Sequence, residues 1–144
     1  MIYEVDTFIC ETQELIFELA ARNYDLNGFK YFVEQYMTGD FCRRYMDVKY
    51  SRFQYHEPEE CMDFILPQIE DVTKLTTNGD LRYDLTVAGW IGYTYRYLEM
   101  GTHILSKDLF AYIPFDAMER SYSGFHSIEE ENAADILFEM FIKQ

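Results

Sequence analysis

The stretch "WIGYTYRYLEMG", residues 90–101, is the strongest indication of the fold because it is apolar or aromatic on nearly every side of a helix. Trp90, Tyr93 and Tyr97 share one helical face, since they are spaced by three and four residues. A helix that is hydrophobic on most of its sides lies in the middle of a domain. The sequence therefore predicts a central helix at this position.

Two features of the predicted central helix indicate what packs around it. Gly89 and Gly92 leave room for another helix to approach closely. Arg96 needs a partner in such a setting, because an unpaired buried guanidinium is costly. For Tyr95, Arg96 and Tyr97 two alternatives stay open, a buried polar network and the edge of an interface. As interface residues, the three are predicted to contact a partner.

Helical periodicity continues on both sides of this helix. Residues 2–21 place apolar side chains at helical spacing and carry glutamates on another face. Pro58 stands at a helix start with acids behind it, and Pro67 ends or bends that segment. Residues 48–56 alternate well enough for a short strand. Helices are predicted at residues 2–21, 28–37, 39–50, 58–66, 85–100, 102 or 106 to 112, 115–122 and 127–142.

Capping signals accompany several of these helices. Asp25 or Asn27 is predicted to cap the second helix and Thr38 the third. Gly101 is placed to end the central helix. Before the last helix, Ser127 and Glu130 have the spacing of a capping box.

The elements together predict an all-α protein, or a mostly α protein with at most one short β-strand or hairpin near residues 48–55. A chain of 144 residues is long enough for one compact domain, here of about six to eight helices. The dipeptide Asn78-Gly79 signals a turn between two halves of that domain. The turn segment and the two halves are residues 74–81, 1–73 and 82–144.

The composition is acidic and rich in aromatic residues. There are 26 acids against 12 bases, a net charge of −14, and 18% of the residues are Phe, Trp or Tyr. This charge repels phosphate backbones and anionic membranes, so direct nucleic-acid binding and membrane binding are disfavoured. It attracts basic proteins, and large aromatic side chains are enriched at protein interfaces.

The cysteines and the first residues indicate a cytoplasmic protein. Cys10, Cys42 and Cys61 are odd in number, show no C-x-x-C spacing and have mostly apolar neighbours, as reduced core thiols do. The first twenty residues carry acids where a signal peptide needs a basic lead and an uninterrupted apolar run. No apolar run approaches the length of a membrane span.

Catalytic signatures are scarce. The chain has no phosphate-binding loop, dinucleotide-binding glycine motif, nucleophile elbow or zinc-protease motif. His56 and His103 lie in different segments without metal-ligand spacing. We therefore expect no catalytic residue, no cofactor and no metal. An enzyme or small-ligand protein is the alternative, with a pocket around Arg96, Tyr122 and His126, because these unlike polar groups lie in apolar surroundings.

Acidic residues are concentrated in three segments that carry no base. Sixteen of the 26 acids lie in residues 1–21, 53–73 and 121–142. If their polar faces lie side by side, they form a broad negative surface that resembles a phosphate array. The alternative is three ordinary solvated helix faces. The residues assigned to the acidic surface are Glu4, Glu11, Glu14, Glu18, Glu57, Glu59, Glu60, Asp63, Glu129, Glu130, Glu131, Asp135 and Glu139.

A second charge feature has the opposite sign. Residues 41–55 interleave arginines with aromatic residues, and Tyr and Arg are the residues enriched at interface hot spots. Stacking on single-stranded nucleic acid is opposed by the net charge. The alternative is that these arginines form internal ion pairs with the acidic helices of the same chain. The predicted partner-binding residues of this segment are Arg43, Arg44, Tyr45, Tyr50 and Arg52.

Part of the C-terminal half resembles a group of known proteins. The residues that carry the resemblance are W-x-x-Y-x-Y-R-Y, Ser106-Lys107 before "LFAYIP", Met118, and Tyr122-x-Gly124-x-His126 before an acidic last helix. Over residues 86–137 the chain resembles small uncharacterised bacterial proteins that are commonly the antitoxin-like member of toxin–antitoxin or phage-defence gene pairs. The resemblance implies neutralisation of a partner protein, and it implies no catalytic residue.

These observations predict an acidic, cytoplasmic protein-binding protein that neutralises a partner in the manner of an antitoxin or inhibitor. The expected partner is a basic protein, such as a toxin, a nuclease or a defence effector. An alternative is a phage-encoded DNA mimic that inhibits a host nuclease or defence protein, of the anti-CRISPR or anti-restriction type. The sequence leaves open whether the chain also forms a homodimer.

Overall fold

The computed structural model describes residues 3–77 and 81–143. These residues form seven α-helices joined by 3₁₀- and π-helical segments, and they contain no β-strand. The all-α prediction is therefore confirmed. The α-helices are α1 (Thr7–Asn23), α2 (Leu26–Thr38), α3 (Pro58–Ile65), α4 (Leu85–Thr102), α5 (Ser106–Tyr112), α6 (Phe115–Phe125) and α7 (Glu130–Leu137).

Helix α4 is the centre of the structure and contacts α1, α5, α6 and α7. Its longest partner is α1, which runs antiparallel to it. The backbone N–H of Tyr3 donates to the carbonyl of Gly101, and the side chain of Gln13 donates to the carbonyl of Gly92. A methyl group at Gly92 would lie 2.8 Å from the Gln13 carbonyl oxygen. The sequence predicted that another helix approaches closely at Gly89 and Gly92. This prediction is confirmed, and the approaching helix is α1.

Aromatic rings fill the space between α1 and α2. Phe17 is fully buried and makes edge-to-face contacts with Phe29, Phe32 and Tyr36 at centroid distances of 5.3–6.1 Å. Such pairs add stabilisation beyond the area they bury. Many of the aromatic side chains of the sequence therefore belong to the hydrophobic core.

The segment between α2 and α3 is irregular, and the short strand that the sequence left open there does not form. Residues Cys42–Met46 form a π-helix, and Arg52–Tyr55 form a 3₁₀-helix with a capping box between Ser51 and Gln54. The Gln54 amide also donates to the carbonyls of Met46 at 3.3 Å and Val48 at 2.9 Å. One buried glutamine thus satisfies backbone groups that a strand would have paired with a neighbouring strand.

Several predicted helix ends are corrected by cap geometry. Helix α1 begins at Thr7 behind Asp6, and of the two candidates for α2 it is Asp25 that accepts from the N-terminal backbone. Thr38 is not a cap but the last residue of α2, where its hydroxyl donates to the Glu34 carbonyl. Helix α4 ends one residue after Gly101, and the left-handed C-cap is His103 with φ of 59°.

The C-terminal helices also differ from expectation. Helix α6 continues to Phe125, through the stretch predicted as a loop. The capping box of Ser127 and Glu130 is absent, because Glu129 occupies the N-cap position of α7 and its side chain caps nothing. A π-helix, Phe138–Ile142, then completes the last helical segment where its end was predicted. The predicted Asn78-Gly79 turn lies outside the described residues.

Candidate functional site

The structure holds a polar cluster inside the core, centred on Arg96. The guanidinium is fully buried and donates to Asp47 Oδ1 at 2.6 Å and Glu99 Oε1 at 2.9 Å. Its other side donates to Gln13 Oε1 at 2.8 and 3.0 Å and to the Ser106 hydroxyl at 3.1 Å. The cluster therefore joins α1, α4, α5 and the end of the π-helical segment through one cation.

Every carboxylate and amide of this cluster is engaged. Ser106 donates to Asp47 through both its hydroxyl and its backbone N–H, at 2.6 and 2.8 Å. Tyr36 donates to Gln13 Oε1 at 2.7 Å. Burial raises the pKa of Glu99, and this outweighs the opposing effect of Arg96. A satisfied buried network of this kind fixes the positions of the elements that contribute to it.

The cysteines lie in the same interior, and burial raises the pKa of each of their thiols. All three are buried and free. Burial raises the pKa of the Cys42 thiol to about 12, although Arg96 Nη2 lies 3.1 Å from its sulfur. A thiol that stays protonated is a weak nucleophile, so Cys42 serves the core as a small polar contact.

Two of the predicted partner-binding residues are therefore corrected. Tyr95 and Arg96 are fully buried, and the Tyr95 hydroxyl donates to the Ile113 carbonyl at 2.7 Å. The hydroxyl of Tyr95 and the guanidinium of Arg96 bond to polar groups inside the domain. Neither side chain is exposed for contact with a partner. Of the two alternatives for Arg96, the structure has the buried polar network. Tyr97 is half-buried and stacks with Tyr93.

The alternative hypothesis of a pocket around Arg96, Tyr122 and His126 is also wrong, because Arg96 does not lie beside the other two residues. Tyr122 stacks on His126 and contacts Trp90 edge-on, at centroid distances of 4.2 and 5.7 Å. Trp90 and Arg96 are six residues apart on α4, so their side chains leave the helix in directions roughly 120° apart. The structure therefore places Arg96 away from the aromatic contact of α4 with α6.

Four of the other residues predicted to bind a partner lie close together, namely Arg44, Tyr45, Tyr50 and Arg52. One depression of about 440 Å³ is lined by Arg44, Tyr45, Tyr50, Ser51, Arg52, Phe53 and Phe64, which we call the basic aromatic surface. Phe53 is buried beneath it, whereas Tyr50 is 75% exposed and Phe64 46% exposed. Four of the five residues predicted from this segment thus share one concave surface.

Exposed aromatic rings continue beyond the depression. Tyr50 lies 6.4 Å from the ring of Tyr55, which lies 5.5 Å from the ring of Phe8 on α1. Tyr55 also donates to Asp6 at 2.9 Å, which holds its ring in place. The result is a row of exposed aromatic rings that runs from the depression to α1.

The arginines of this surface are not used for internal ion pairing. Arg43 pairs with Asp40 at 2.7 Å on the outside of the molecule, and both side chains are exposed. Within residues 3–77 and 81–143, no carboxylate lies within 4.0 Å of Arg44, Lys49 or Arg52. Arg52 instead lies over the Phe53 ring, 4.8 Å from its centroid.

Acidic residues from α1 and α7 meet on another part of the molecule, beside α4. Burial, with the repulsion of Glu18, Glu11 and Glu130, raises the pKa of Glu14 to about 7. Burial together with Glu131, Glu130 and Asp135 likewise raises the pKa of Tyr97. Carboxylates of two of the three acidic segments therefore lie near the stacked tyrosines of α4. We call this area the acidic face, and it consists of Glu11, Glu14, Glu18, Glu130, Glu131 and Asp135.

The third acidic segment includes α3, which packs against α1, but none of its carboxylates is among the charges that raise the pKa of Glu14. Glu57, Glu59, Glu60 and Asp63 are exposed on or beside α3, where Glu60 lies 3.7 Å from His56. Glu4 lines a cleft with Asp47, Glu99 and His103. Glu129 is the exposed N-cap residue of α7, and Glu139 pairs with Lys143 at 3.6 Å. Only the carboxylates of α1 and α7 are therefore assigned to the acidic face.

The raised pKa of Glu14 makes a prediction for stability. The folded protein binds a proton at Glu14 up to about pH 7, whereas the ordinary value is 4.5, so stability falls as pH rises between these values. Glu14→Gln removes this penalty. We expect the variant to be more stable than the wild type by about 1 kcal/mol at pH 8, a figure reduced for solvent screening. Urea unfolding at pH 8 and pH 5 measures the difference, which shrinks at the lower pH.

The matched control is Glu34→Gln on the exposed side of α2, which removes one charge away from the acidic face. It should change stability by less than about 0.5 kcal/mol at either pH. Equal stabilisation by both variants would mean that the general reduction in negative charge acts, and not the crowding at Glu14.

Some residues of these sites were not identified from the sequence. Gln13 is a polar residue on the apolar face of α1, and that position was the available signal for a buried network. Phe8, Tyr55 and Phe64 are exposed aromatics whose exposure depends on how α1 and α3 pack. Asp47 is the one acid among the arginines of residues 41–55, but its partner Arg96 lies 49 residues away.

The remaining observations are negative. In the described residues, no group of three or more His, Cys, Asp or Glu side chains is arranged to hold a metal ion. Among the helices of the same residues, none combines the length and apolar character needed to cross a membrane. No family model, curated protein sequence or solved structure matches the chain.

Proposed function

We propose that this chain is a cytoplasmic protein-binding protein that neutralises a protein partner, in the manner of an antitoxin or inhibitor. The observation that carries the proposal is the basic aromatic surface, where Arg44, Tyr45, Tyr50 and Arg52 line one depression. Tyrosine offers a large contact area and a polar tip at a low cost in conformational entropy, arginine adds a planar cation, and both residue types are enriched at interface hot spots.

The distribution of charge supports a basic partner. A net charge of −14 attracts a cationic protein over long range, and the acidic face concentrates part of that charge on α1 and α7. Steering of this kind speeds association, whereas the buried area at the aromatic contacts determines how long the complex lasts. The two surfaces therefore have different roles in the proposed complex.

Photocrosslinking tests the proposal directly. Tyr50 is replaced by p-benzoylphenylalanine in the full chain, expressed in the cells that carry its gene, because this ring is 75% exposed at the edge of the depression. We expect one protein to be crosslinked. When that protein is purified, an equimolar amount of the chain should suppress its activity.

Tyr112 is the matched control position, since its ring is also exposed, at 48%, but lies on α5 away from the depression. A protein captured from Tyr50 and not from Tyr112 supports the proposal. Absence of a crosslink at Tyr50, the same proteins at both positions, or a captured protein whose activity is unchanged by the chain would each contradict it.

A second candidate is a DNA mimic that occupies the nucleic-acid groove of a nuclease or defence protein. The observation that favours it is the acidic face, where burial together with Glu130 of α7 and Glu11 of α1 raises the pKa of Tyr93. Under this candidate, affinity for the captured partner falls steeply with added salt and DNA competes for binding. Charge reversal at Glu130 and Glu131, and not at Arg44 and Arg52, would then abolish the complex.

A further inference from the structure

We propose that the basic aromatic surface binds a peptide segment of the partner in which one or two carboxylates lie next to an aromatic or large aliphatic side chain. This inference rests on the proposed function and names the chemistry of the segment that is bound. The partner as a whole can still be basic, because the net charge of a protein and the charge of one segment are separate properties.

The carboxylates are inferred from the cations that line the surface without an internal partner. The chain has 26 acids and 12 bases, yet within the described ranges no carboxylate lies within ion-pairing distance of Arg44 or Arg52. Arg43, in the same segment, does have a carboxylate, at Asp40. The two arginines that line the depression beside exposed aromatic rings therefore favour an anionic group supplied from outside.

The geometry of Arg52 favours a carboxylate over other acceptors. Its guanidinium lies over the Phe53 ring, and this contact orients the guanidinium plane while leaving its N–H groups available. A guanidinium presents two parallel N–H groups that match the two oxygens of a carboxylate. Arg44 lines the same depression, so a second carboxylate, or the second edge of the first, can be reached from it.

The apolar side chain is inferred from the rings around the depression. The Phe64 ring lies 4.8 Å from that of Phe53, and Tyr45 lies 4.7 Å from Phe53 on another side. The depression is open to solvent and measures about 440 Å³, so a large side chain can lie against these rings. Tyr50 at the edge can then close over the bound side chain from the solvent side.

The long-range charge of the chain argues against a nucleic acid at this surface. Single-stranded nucleic acid also combines anionic groups with stacking rings, but it carries one charge per nucleotide along its whole length. A net charge of −14 repels such a polyanion far more than a peptide with one or two carboxylates. The surface therefore fits a peptide of low charge better.

Selection from a display library of short random peptides on the immobilised full-length protein tests this inference. We expect the enriched peptides to contain Asp or Glu next to Trp, Tyr, Phe or Leu. A fluorescein-labelled copy of the most enriched peptide is then titrated with wild type and variants. Arg44→Gln with Arg52→Gln should weaken its binding by roughly tenfold or more, since each lost charge-assisted contact contributes to affinity.

The matched control is Lys107→Gln with Arg120→Gln, which removes the same charge from two exposed residues on α5 and α6. It should change the affinity less than about twofold. Enriched peptides without carboxylates, or equal binding by the two double variants, would overturn the inference. So would failure of any peptide to be enriched, or binding of a labelled oligothymidylate that depends on Arg44 and Arg52.

The outcomes also separate this inference from the proposed function. A protein crosslinked at Tyr50, together with selected peptides that lack carboxylates, would leave the function standing and refute the acidic segment. Selected acidic peptides with no protein crosslinked at Tyr50 would do the reverse. The two experiments use different readouts, so neither result determines the other.

Discussion

Replacement of Arg96 by methionine is expected to lower the free energy of unfolding by about 3–5 kcal/mol. The substitution keeps most of the volume but leaves Asp47 and Glu99 buried without their cation. Both side chains are at least nine-tenths buried, and Arg96 donates to them at 2.6 and 2.9 Å. A carboxylate stranded in this way cannot recover its hydration. Urea unfolding followed by circular dichroism measures the loss.

Two further variants identify the cause of that loss. Arg96→Lys keeps the charge but cannot reach Gln13, Asp47 and Ser106 together, so its loss should be smaller than that of Arg96→Met. Adding Glu99→Gln to Arg96→Met should restore part of the stability, because one of the two stranded charges is then neutral. A loss below about 1 kcal/mol for Arg96→Met would mean that the network does not hold these elements together.

Gly92→Ala is expected to have the next largest effect, a loss of about 2 kcal/mol in unfolding free energy. The added methyl group would lie 2.8 Å from the Gln13 carbonyl oxygen and 2.8 Å from Cγ of Phe17. The first of these is backbone, so relief requires α1 to move away from α4. That movement would also strain the bond from Gln13 to the Gly92 carbonyl.

Gly124→Ala is the matched control for this prediction. Gly124 is also helical, but a methyl group there would meet no atom within 4 Å. Alanine is the better helix former, so Gly124→Ala should stabilise the protein by about 0.5–1 kcal/mol. If both substitutions stabilised the chain, α1 and α4 could not lie as close together as described here.

The helices were predictable where local signals determine them. Asp25 caps α2, Pro58 opens α3, and the apolar pattern of α4 places it at the centre. These features depend on residues within one or two turns of each other, which a sequence displays directly. The close approach at Gly92 was predictable for the same reason, since only a missing side chain leaves such room.

Features that depend on distant residues were not predictable. Residues 48–55 alternate as a strand does, but Gln54 satisfies the backbone of the preceding segment and no neighbouring strand is present in the described residues. The sequence also could not choose between an exposed and a buried Arg96, because its partners come from α1, α5 and the segment after α2. Tyr50 and Arg52 were identifiable by type, but their arrangement around Phe64 required the fold.

The edge-on contact of Trp90 with Tyr122 has a spectroscopic consequence. Trp90 is the one tryptophan of the chain, and it is half-buried where α6 lies against α4. Its indole emission therefore reports locally on the docking of α6, whereas far-ultraviolet ellipticity averages over all the helices. A change in Trp90 emission before the loss of ellipticity during denaturation would reveal that α6 detaches before the rest of the chain unfolds.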